Sequence, residues 1–361
     1  MSARPVDGAR GRWTRALSFR NISAVYLLVA LFVVYSLWVG DTFLTSTTLR
    51  SLLVEQSVVA MAAVALVIPL AAGAIDLSIA MVLGTGALFV AWLMGTHGWG
   101  TVPAIAATVG VGAGIGAINA ISVVRFRINS LIATLAMFSM LTALGNALTN
   151  GDQLIGLTPF FQDLGSTEIL GIGLPVFYLA IVALVVWYML EHTPVGRRVY
   201  ATGGNAEAAR LTGVHTGRIV AGAFVAAAIV ATLAGMLATA RAGSATSTTG
   251  VGYLLPVFAG AFLGATQFRN GQFNVWGTVL AVYVLAVGVK GLELAGAPYW
   301  LPDLFNGVAL LVAVGLANVQ RSIRTRESER ELDRSGPGAA PGPSSGRTPS
   351  SPAASRSGPV T

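Results

Sequence analysis

The chain has 361 residues, of which 54% are hydrophobic and only 10% are charged, with a formal net charge of +7 and a mean hydropathy of +0.72. Soluble globular chains carry about 25% charged residues, so this composition excludes an ordinary soluble domain. No basic patch on a polar surface is visible, which argues against nucleic-acid binding. The absence of cysteine excludes disulfides and thiolate chemistry.

Apolar runs of about 20 residues, the length that crosses a bilayer, recur along the chain. They predict an all-α polytopic membrane protein with about ten transmembrane helices. Residues 1–22 are a basic N-terminal segment, and we interpret the apolar run after it as a retained first span rather than a cleaved signal peptide. The predicted spans, which make up a transmembrane domain over residues 23–320, are 23–40, 51–72, 77–95, 101–124, 131–149, 173–190, 218–240, 253–266, 273–291 and 300–318.

The positions of the arginines predict how these spans are oriented, because cytoplasmic loops are enriched in Lys and Arg. With the N-terminus in the cytoplasm, the inside loops lie near 73–76, 125–130, 191–217 and 267–272, and the C-terminus is also inside. These segments contain Arg125, Arg127, Arg197, Arg198, Arg210, Arg218, Arg269, Arg321, Arg324 and Arg326. The outside loop at 150–172 is acidic, while Arg50 and Arg241 are exceptions to the pattern.

Two regions are candidates for broken or re-entrant helices, near 69–78 and 253–266. Pro69 lies just before a linker of only four residues, 73–76, and the short eighth span contains Pro256. Broken helices at membrane depth are tolerated only where protein or a water-filled cavity satisfies the freed backbone groups. Either region could therefore lie beside a pathway.

Glycines cluster in the fourth span at Gly110, Gly112, Gly114 and Gly116, which form two overlapping small-xxx-small patterns. We favour close helix packing over a moving gate as their role. Residues 321–361 form a predicted disordered cytoplasmic tail, because the Ser-, Gly-, Pro- and Ala-rich composition of residues 327–361 cannot bury a core.

No catalytic constellation is visible. The three histidines are scattered over loops and the phosphate-binding loop motif is missing, so we expect no catalytic residue, no metal site and no cofactor. Nucleotide-driven work would have to be done by another subunit. The spans contain few ionisable groups, Glu55 and Asp76 being the candidates, which argues against an ion-coupled carrier.

The loop at 193–217, TPVGRRVYATGGNAEAARLTGVHTG, is the most informative segment. The pair Gly203 and Gly204 predicts a sharp turn, Asn205 an N-cap and Gly213 a C-cap. Glu207 lies in the first turn, where a carboxylate is favourable for the helix dipole. The result is a short helix with small side chains that could seat in a groove of a soluble partner; an ordinary amphipathic loop helix is the alternative. The predicted contact residues are Gly203, Gly204, Asn205, Glu207, Ala208, Ala209, Arg210 and Gly213.

This loop resembles the coupling segment of the ribose/xylose/galactoside permease family of ABC importers, whose usual form runs T-x-x-G-R-x-x-x-A-x-G-G-N-x-x-A-A-x-x-x-G. The residues that fall on the pattern are Thr193, Gly196, Arg197, Ala201, Gly203, Gly204, Asn205, Ala208, Ala209 and Gly213. Residues 73–78 (GAIDLS), 132–135 (IATL) and 273–278 (FNVWGT) resemble further motifs of that family. Departures cluster at spans three and eight, where Ala74 replaces a glycine and residues 254–256 (LLP) replace Glu-Leu-Asp.

The resemblance implies a permease subunit, itself no enzyme, in the bacterial cytoplasmic (inner) membrane. Its implied partners are a cytoplasmic ABC ATPase that docks on the 193–217 loop, an extracytoplasmic binding protein that delivers a monosaccharide, and a second permease chain, identical or related. The alternatives are an importer of nucleosides, autoinducers or other polar solutes, an ion-coupled secondary carrier, and a channel or structural membrane protein.

Five polar residues are candidates for the translocation path: Asp76, Ser78, Asn119, Thr134 and Asn146. For Asp76 we favour capping of the third span, with Ser78 nearby, over lining the exit of a pathway. Asn119, Asn146 and Asn306 could bond sugar hydroxyls, although bridging between helices is the role we favour for each.

Overall fold

The computed structural model describes residues 23–268 and 271–317, and this part of the chain is almost entirely helical. The helices are α1 (Ser23–Trp38), α2 (Gly40–Phe43), α3 (Ser46–Ala71), α4 (Ile79–Ala91), α5 (Thr101–Ala120), α6 (Ser130–Thr149), α7 (Pro159–Ser166), α8 (Leu174–His192), α9 (Pro194–Gly204), α10 (Ala206–Leu211), α11 (Thr216–Ala242), α12 (Leu254–Ala265), α13 (Val275–Leu294) and α14 (Leu301–Ala317). Single π-helical turns, Trp92–Thr96 and Ile121–Arg125, extend α4 and α5, and a 3₁₀ turn, Val251–Tyr253, precedes α12. A two-residue hairpin pairs Glu168–Ile169 (β1) with Ile172–Gly173 (β2).

Several sequence predictions lie outside the described residues. They concern the basic segment 1–22, Arg269, and the tail at 321–361 with Arg321, Arg324 and Arg326.

Seven helices are long and apolar enough to cross a membrane, so the chain is a multi-pass membrane protein. They are Ser46–Ala71, Ile79–Thr96, Thr101–Arg125, Ser130–Thr149, Leu174–His192, Thr216–Ala242 and Val275–Leu294. The other three predicted spans coincide with shorter apolar helices in the described part, Val25–Trp38, Val251–Ala265 and Leu301–Ala317. The second predicted span began too late, because the helix already starts at Ser46, with Thr45 as its N-cap.

The centre of the bundle is formed by α3 and α4, and the periphery by α6 and α8. In the most apolar stretch of each helix, 72% of the residues are buried in α3 and 78% in the helix that contains α4, against 28% in α6 and in α8. Apolar side chains of a membrane protein can face lipid or another chain, so α6 and α8 supply much of the outer surface.

Glycines allow α5 and α11 to approach closely. A Cβ added at Gly112 would lie 2.9 Å from the Cβ of Thr232, and one at Gly116 would lie 2.8 Å from the carbonyl oxygen of Phe224. At Gly110 and Gly114 an added Cβ would meet no atom within 4 Å. The packing role predicted for this cluster is therefore confirmed for one pair of glycines, while the other pair faces open space.

The loops gather at two ends of the bundle. At the arginine-rich end, Gly203 packs on Gly73, the Ile75 amide donates to Ser130 Oγ at 3.2 Å, and the Tyr200 hydroxyl donates to the Phe273 carbonyl at 2.9 Å. This end therefore brings together the loops near 73–76, 125–130 and 191–217 and Phe273, which follows the loop at 267–272; arginine placement predicts these four loops on one side.

At the acidic end, the loop at 150–173 contacts the ends of other helices. Leu154 forms a β-bridge with Ala245, and the hydroxyls of Thr101 and Thr158 lie 2.6 Å apart. Arg50, an exception in the predicted charge pattern, lies 3.9 Å from the carboxylate of Glu168, with both side chains more than half exposed. Glu168 of the acidic loop thus partly neutralises the charge of Arg50, which the arginine pattern does not predict at this end.

Candidate functional site

The predicted coupling loop consists of two consecutive helices, α9 and α10, that share one capping residue. Thr193 caps the start of α9 by accepting the Gly196 amide at 3.3 Å. The sharp turn predicted at Gly203 and Gly204 is wrong, because both glycines are the last residues of α9. The helical ladder continues through them, since the Asn205 amide still donates to the Ala201 carbonyl at 3.1 Å. The chain changes direction at Asn205, where φ is −157° and ψ is 100°.

Both caps predicted for α10 are confirmed. The side chain of Asn205 accepts the Ala208 amide at 3.0 Å. At the other end, Gly213 has a φ of +87°, and its amide and that of Val214 donate to the Arg210 and Ala209 carbonyls, each at 3.0 Å. This is a Schellman arrangement, which requires a left-handed residue and therefore favours glycine. A helix of only six residues thus has a defined start and stop.

The outer surface of α10 is exposed. Among its residues only Ala209 is buried, and Glu207 and Arg210 form an exposed ion pair at 2.9 Å. The side chain of Leu211 is 82% exposed. Leu211 is not among the predicted contact residues, although one large apolar residue in a helix of small and charged ones is a signal for a contact surface. This surface can bind a partner through one apolar side chain and two charges.

The end of α9 packs directly on the turn after α3. A Cβ added at Gly203 would lie 3.0 Å from the Ala71 carbonyl carbon and 3.0 Å from the Gly73 amide nitrogen. Gly73 itself has a φ of +84°. A cavity of about 460 Å³ opens beside this contact, lined in part by Ser130 and Thr202. Movement of α9 would therefore be transmitted to the chain segment that leads into α4.

That segment, residues 72–78, contains a buried polar cluster. Asp76 and Asn119 are each 1% exposed and Ser78 is fully buried. Asp76 Oδ1 accepts the Ser78 amide at 2.9 Å and the Ser78 hydroxyl at 2.6 Å, and Ser78 Oγ accepts from Asn119 Nδ2 at 2.8 Å. The N-cap of α4 is Ser78 and has no side-chain capping bond, and Asp76 bonds only the amide and hydroxyl of that residue, so the capping role favoured for Asp76 stays a prediction. The contact of Asn119 with Ser78 agrees with the bridging role favoured for Asn119.

Thr134 joins the same cluster from α6, because its hydroxyl accepts the Leu77 amide at 3.0 Å. Four of the five candidate path residues therefore lie around residues 72–78. Asn146 does not, since it is exposed near the far end of α6. The non-helical linker predicted at 73–76 is longer than expected and spans residues 72–78, and two side chains of α6, Ser130 and Thr134, accept backbone amides of this segment.

The second candidate break lies earlier in the chain than predicted. Pro256 is in the first turn of α12, where a missing amide costs no helical hydrogen bond. The irregular backbone precedes it, after α11 ends at Ala242. The chain then runs from the bridge at Ala245 to Gly250, and a Cβ added at Gly250 would approach the Ala80 carbonyl oxygen to 2.6 Å. Both irregular segments, 72–78 and 243–250, therefore meet at the first turns of α4.

No group of three or more His, Cys, Asp or Glu side chains that could hold a metal ion occurs within 23–268 and 271–317.

Comparison with known proteins assigns the chain to a family. The family model described as "Branched-chain amino acid transport system / permease component" matches residues 48–314, and the chain belongs to this family of permease components. The resemblance to transport permeases inferred from the 193–217 loop is therefore confirmed.

Individual relatives match over most of their length. The ribose import permease protein RbsC of Escherichia coli strain K12 is 33% identical over 322 residues, covering 88% of this chain and 99% of the relative. The L-arabinose ABC transporter permease protein AraH of Azospirillum brasilense is 32% identical over 317 residues, covering 88% and 92%. The fructose import permease protein FrcC of Rhizobium meliloti is 25% identical over 300 residues, covering 80% and 83%. No solved structure matches the chain significantly.

Proposed function

We propose that the chain is the membrane-spanning permease subunit of an ABC importer that translocates a monosaccharide. The relatives at 33% and 32% identity are named for ribose and L-arabinose, and each is covered by this chain almost completely. The chain is a transport component and not an enzyme, and ATP hydrolysis belongs to a partner ATPase.

The observation that carries this proposal is the exposed, doubly capped helix α10 next to the backbone contact between Gly203 and the turn after α3. We assign Gly203, Gly204, Asn205, Glu207, Ala208, Ala209, Arg210 and Gly213 to ATPase coupling. Force applied to α10 would reach Gly73 through α9, and from there the cluster of Asp76, Ser78, Asn119 and Thr134. These four residues are buried and hydrogen-bonded, so as path residues they would be uncovered only when this end of the bundle moves.

The orientation we propose places the arginine-rich end in the cytoplasm of a bacterial cell and the acidic end outside the inner membrane. All ten apolar helices then span or enter the bilayer, and both termini are cytoplasmic. The corresponding domain organisation is a basic segment at 1–22, a permease domain at 23–320 and a tail at 321–361. The binding protein would deliver its solute at the acidic end.

A second permease chain, identical or related, completes the passage in this proposal. The support is the large exposed apolar surface of α6 and α8, in each of which only 28% of the most apolar stretch is buried by the chain itself. Lipid covers whatever part of that surface the second chain leaves open.

The test is uptake of labelled ribose, L-arabinose, allose and fructose by vesicles that contain the permease, the ATPase and the binding protein. The double substitution Glu207→Arg with Gly213→Pro should abolish ATP-driven uptake and ATPase co-purification while membrane insertion is retained. Proline fixes φ near −65°, so it cannot adopt the +87° of Gly213 and also removes the amide that closes α10. Retained transport in this variant would refute the docking role.

A matched pair of leucines gives a sharper control. Leu211 on α10 and Leu170 at the acidic end are 82% and 95% exposed. Leu211→Glu should reduce ATPase co-purification, whereas Leu170→Glu should leave it unchanged. Uptake that followed an ion gradient without any ATPase would instead establish a secondary carrier.

A further inference from the structure

A second polar site lies away from the coupling cluster, in a cavity of about 100 Å³ between α3, α12, α13 and α14. Its walls are apolar except for two carboxamides, Gln56 on α3 and Asn306 on α14. The remaining lining residues are Val59, Pro256, Val282, Leu285, Ala286 and Val289. No charged side chain lines this cavity among the residues that the structure describes.

Asn306 occupies an unusual position on its helix. The buried face of α14 consists of Asn306, Ala313 and Ala317, so an amide stands where packing alone would place a small apolar residue. Asn306 is only 7% exposed and Gln56 is partly buried, and neither side chain forms a hydrogen bond with any residue in 23–268 or 271–317. Among the described residues the one fully buried side-chain polar atom without a partner is Ser36 Oγ, so the amide atoms of Asn306 and Gln56 are still accessible. A hydrogen-bonding group that enters the cavity can therefore bond them, which is more favourable than leaving amides unpaired in an apolar wall.

The chemistry of the lining selects the kind of ligand. A carboxamide is both donor and acceptor, which matches a hydroxyl group, and an uncharged apolar wall does not favour an ion. With water taking about 30 Å³ each, the cavity holds about three waters or the hydroxyl groups on one edge of a larger molecule. Gln56 lies about 15 Å along the roughly 39 Å of α3, and Asn306 lies about 8 Å along the roughly 26 Å of α14, so the cavity is within the bundle and nearer the end where these two helices begin.

We propose that Asn306 and Gln56 bind hydroxyl groups of a neutral polyhydroxylated solute during its passage through the permease. The inference rests on the proposed transport function and names a contact site within it. Sugars have hydroxyl edges and apolar C–H faces, which fits two amides set in an aliphatic wall. An ion as the transported species would instead need carboxylate or several carbonyl ligands here.

The lack of cysteine in the natural chain allows a direct labelling test. In the complex with ATPase and binding protein in vesicles, Asn306→Cys should be alkylated by iodoacetamide, because alkylation needs a thiolate and therefore a hydrated site. The matched control is Ala313→Cys, on the same buried face two turns further and outside the cavity, which should stay unlabelled. The sugar that the wild type accumulates should protect Asn306→Cys from alkylation.

Uptake gives the second readout. Asn306→Ala should lower the initial rate of sugar uptake about tenfold, as expected for one lost buried hydrogen bond, while binding-protein-stimulated ATP hydrolysis stays within about twofold. Asn306→Leu should also lose uptake yet unfold at a higher temperature, because it removes an unpaired amide from an apolar site. This combination separates solute binding from a structural role.

Four results would overturn the inference. Absence of labelling at Asn306→Cys would mean a dry cavity, and labelling without protection by sugar would mean bound water only. ATP-driven uptake by Asn306→Ala at the wild-type rate would remove the site from the path and leave the proposed function intact. Absence of ATP-driven uptake by the wild type would refute the proposed function itself, and this inference with it.

Discussion

Replacing Gly203 by alanine tests the backbone contact between α9 and the turn after α3. In the proposed mechanism this contact transmits movement from the docking helix α10 to the buried polar cluster at residues 72–78. The added Cβ would lie 3.0 Å from the Ala71 carbonyl carbon and 3.0 Å from the Gly73 amide nitrogen, and closer still to the Ala71 oxygen. These are backbone atoms, which cannot turn aside as a flexible side chain can. We therefore expect a loss of stability of about 1–3 kcal/mol, the typical cost of overpacking, together with reduced uptake per ATP hydrolysed.

The neighbouring residue supplies a matched control. Gly204 is also at the end of α9, and an added Cβ there would meet no atom within 4 Å. Both substitutions give the same gain in helix propensity, about 0.5–1 kcal/mol relative to glycine, so their difference isolates the contact. The measurements are thermal unfolding of the purified permease and ATP-driven sugar uptake in vesicles. Equal melting temperatures and equal uptake for the two variants would refute the reasoning.

Three further substitutions test individual parts of the fold. Gly112→Ala should destabilise the protein by about 1–3 kcal/mol, because Gly112 faces α11. Gly110→Ala should leave the unfolding temperature unchanged or raise it, because Gly110 faces open space. A lower unfolding temperature for Gly110→Ala than for Gly112→Ala would contradict this packing. Thr134→Val should cost about 1–3 kcal/mol in a denaturation experiment, since the partly buried Leu77 amide loses its acceptor; an unchanged midpoint would show that water replaces it. Asn205→Ala should cost about 1 kcal/mol, seen as faster amide exchange in 206–211, and unchanged exchange would refute the cap.

Local features of the fold were predictable from the sequence because their causes are local. Each predicted span coincides with an apolar helix, and the caps of α10 at Asn205 and Gly213 arise from side-chain and backbone preferences within a few residues. The gathering of loops at two ends also agrees with charge placement alone. The turn predicted at Gly203 and Gly204 is wrong, because the low helix propensity of glycine is outweighed there by the packing of Gly203 on the turn after α3.

The buried clusters were not predictable, because their causes are distant in the chain. Ser78 meets Asn119, 41 residues away, and Leu77 meets Thr134, 57 residues away. Asn306 was noted only as a polar residue near a span, and its pairing with Gln56 in one cavity depends on how α3 and α14 pack. Single-sequence patterns indicate which residues are polar, and the packing of helices decides which of them meet.

The junction at Asn205 has a mechanical consequence. A flexible linker of a few residues could stretch by about 3.3–3.6 Å per residue before it pulled on the next helix. Only Asn205 lies between α9 and α10, and it is held at both sides. Its backbone amide donates to the Ala201 carbonyl in α9, and its side-chain oxygen accepts the Ala208 amide of α10. The two helices therefore move as one bent, rigid unit. A displacement of α10 by a few ångströms must either displace α9 by nearly the same distance or break a capping hydrogen bond at Asn205.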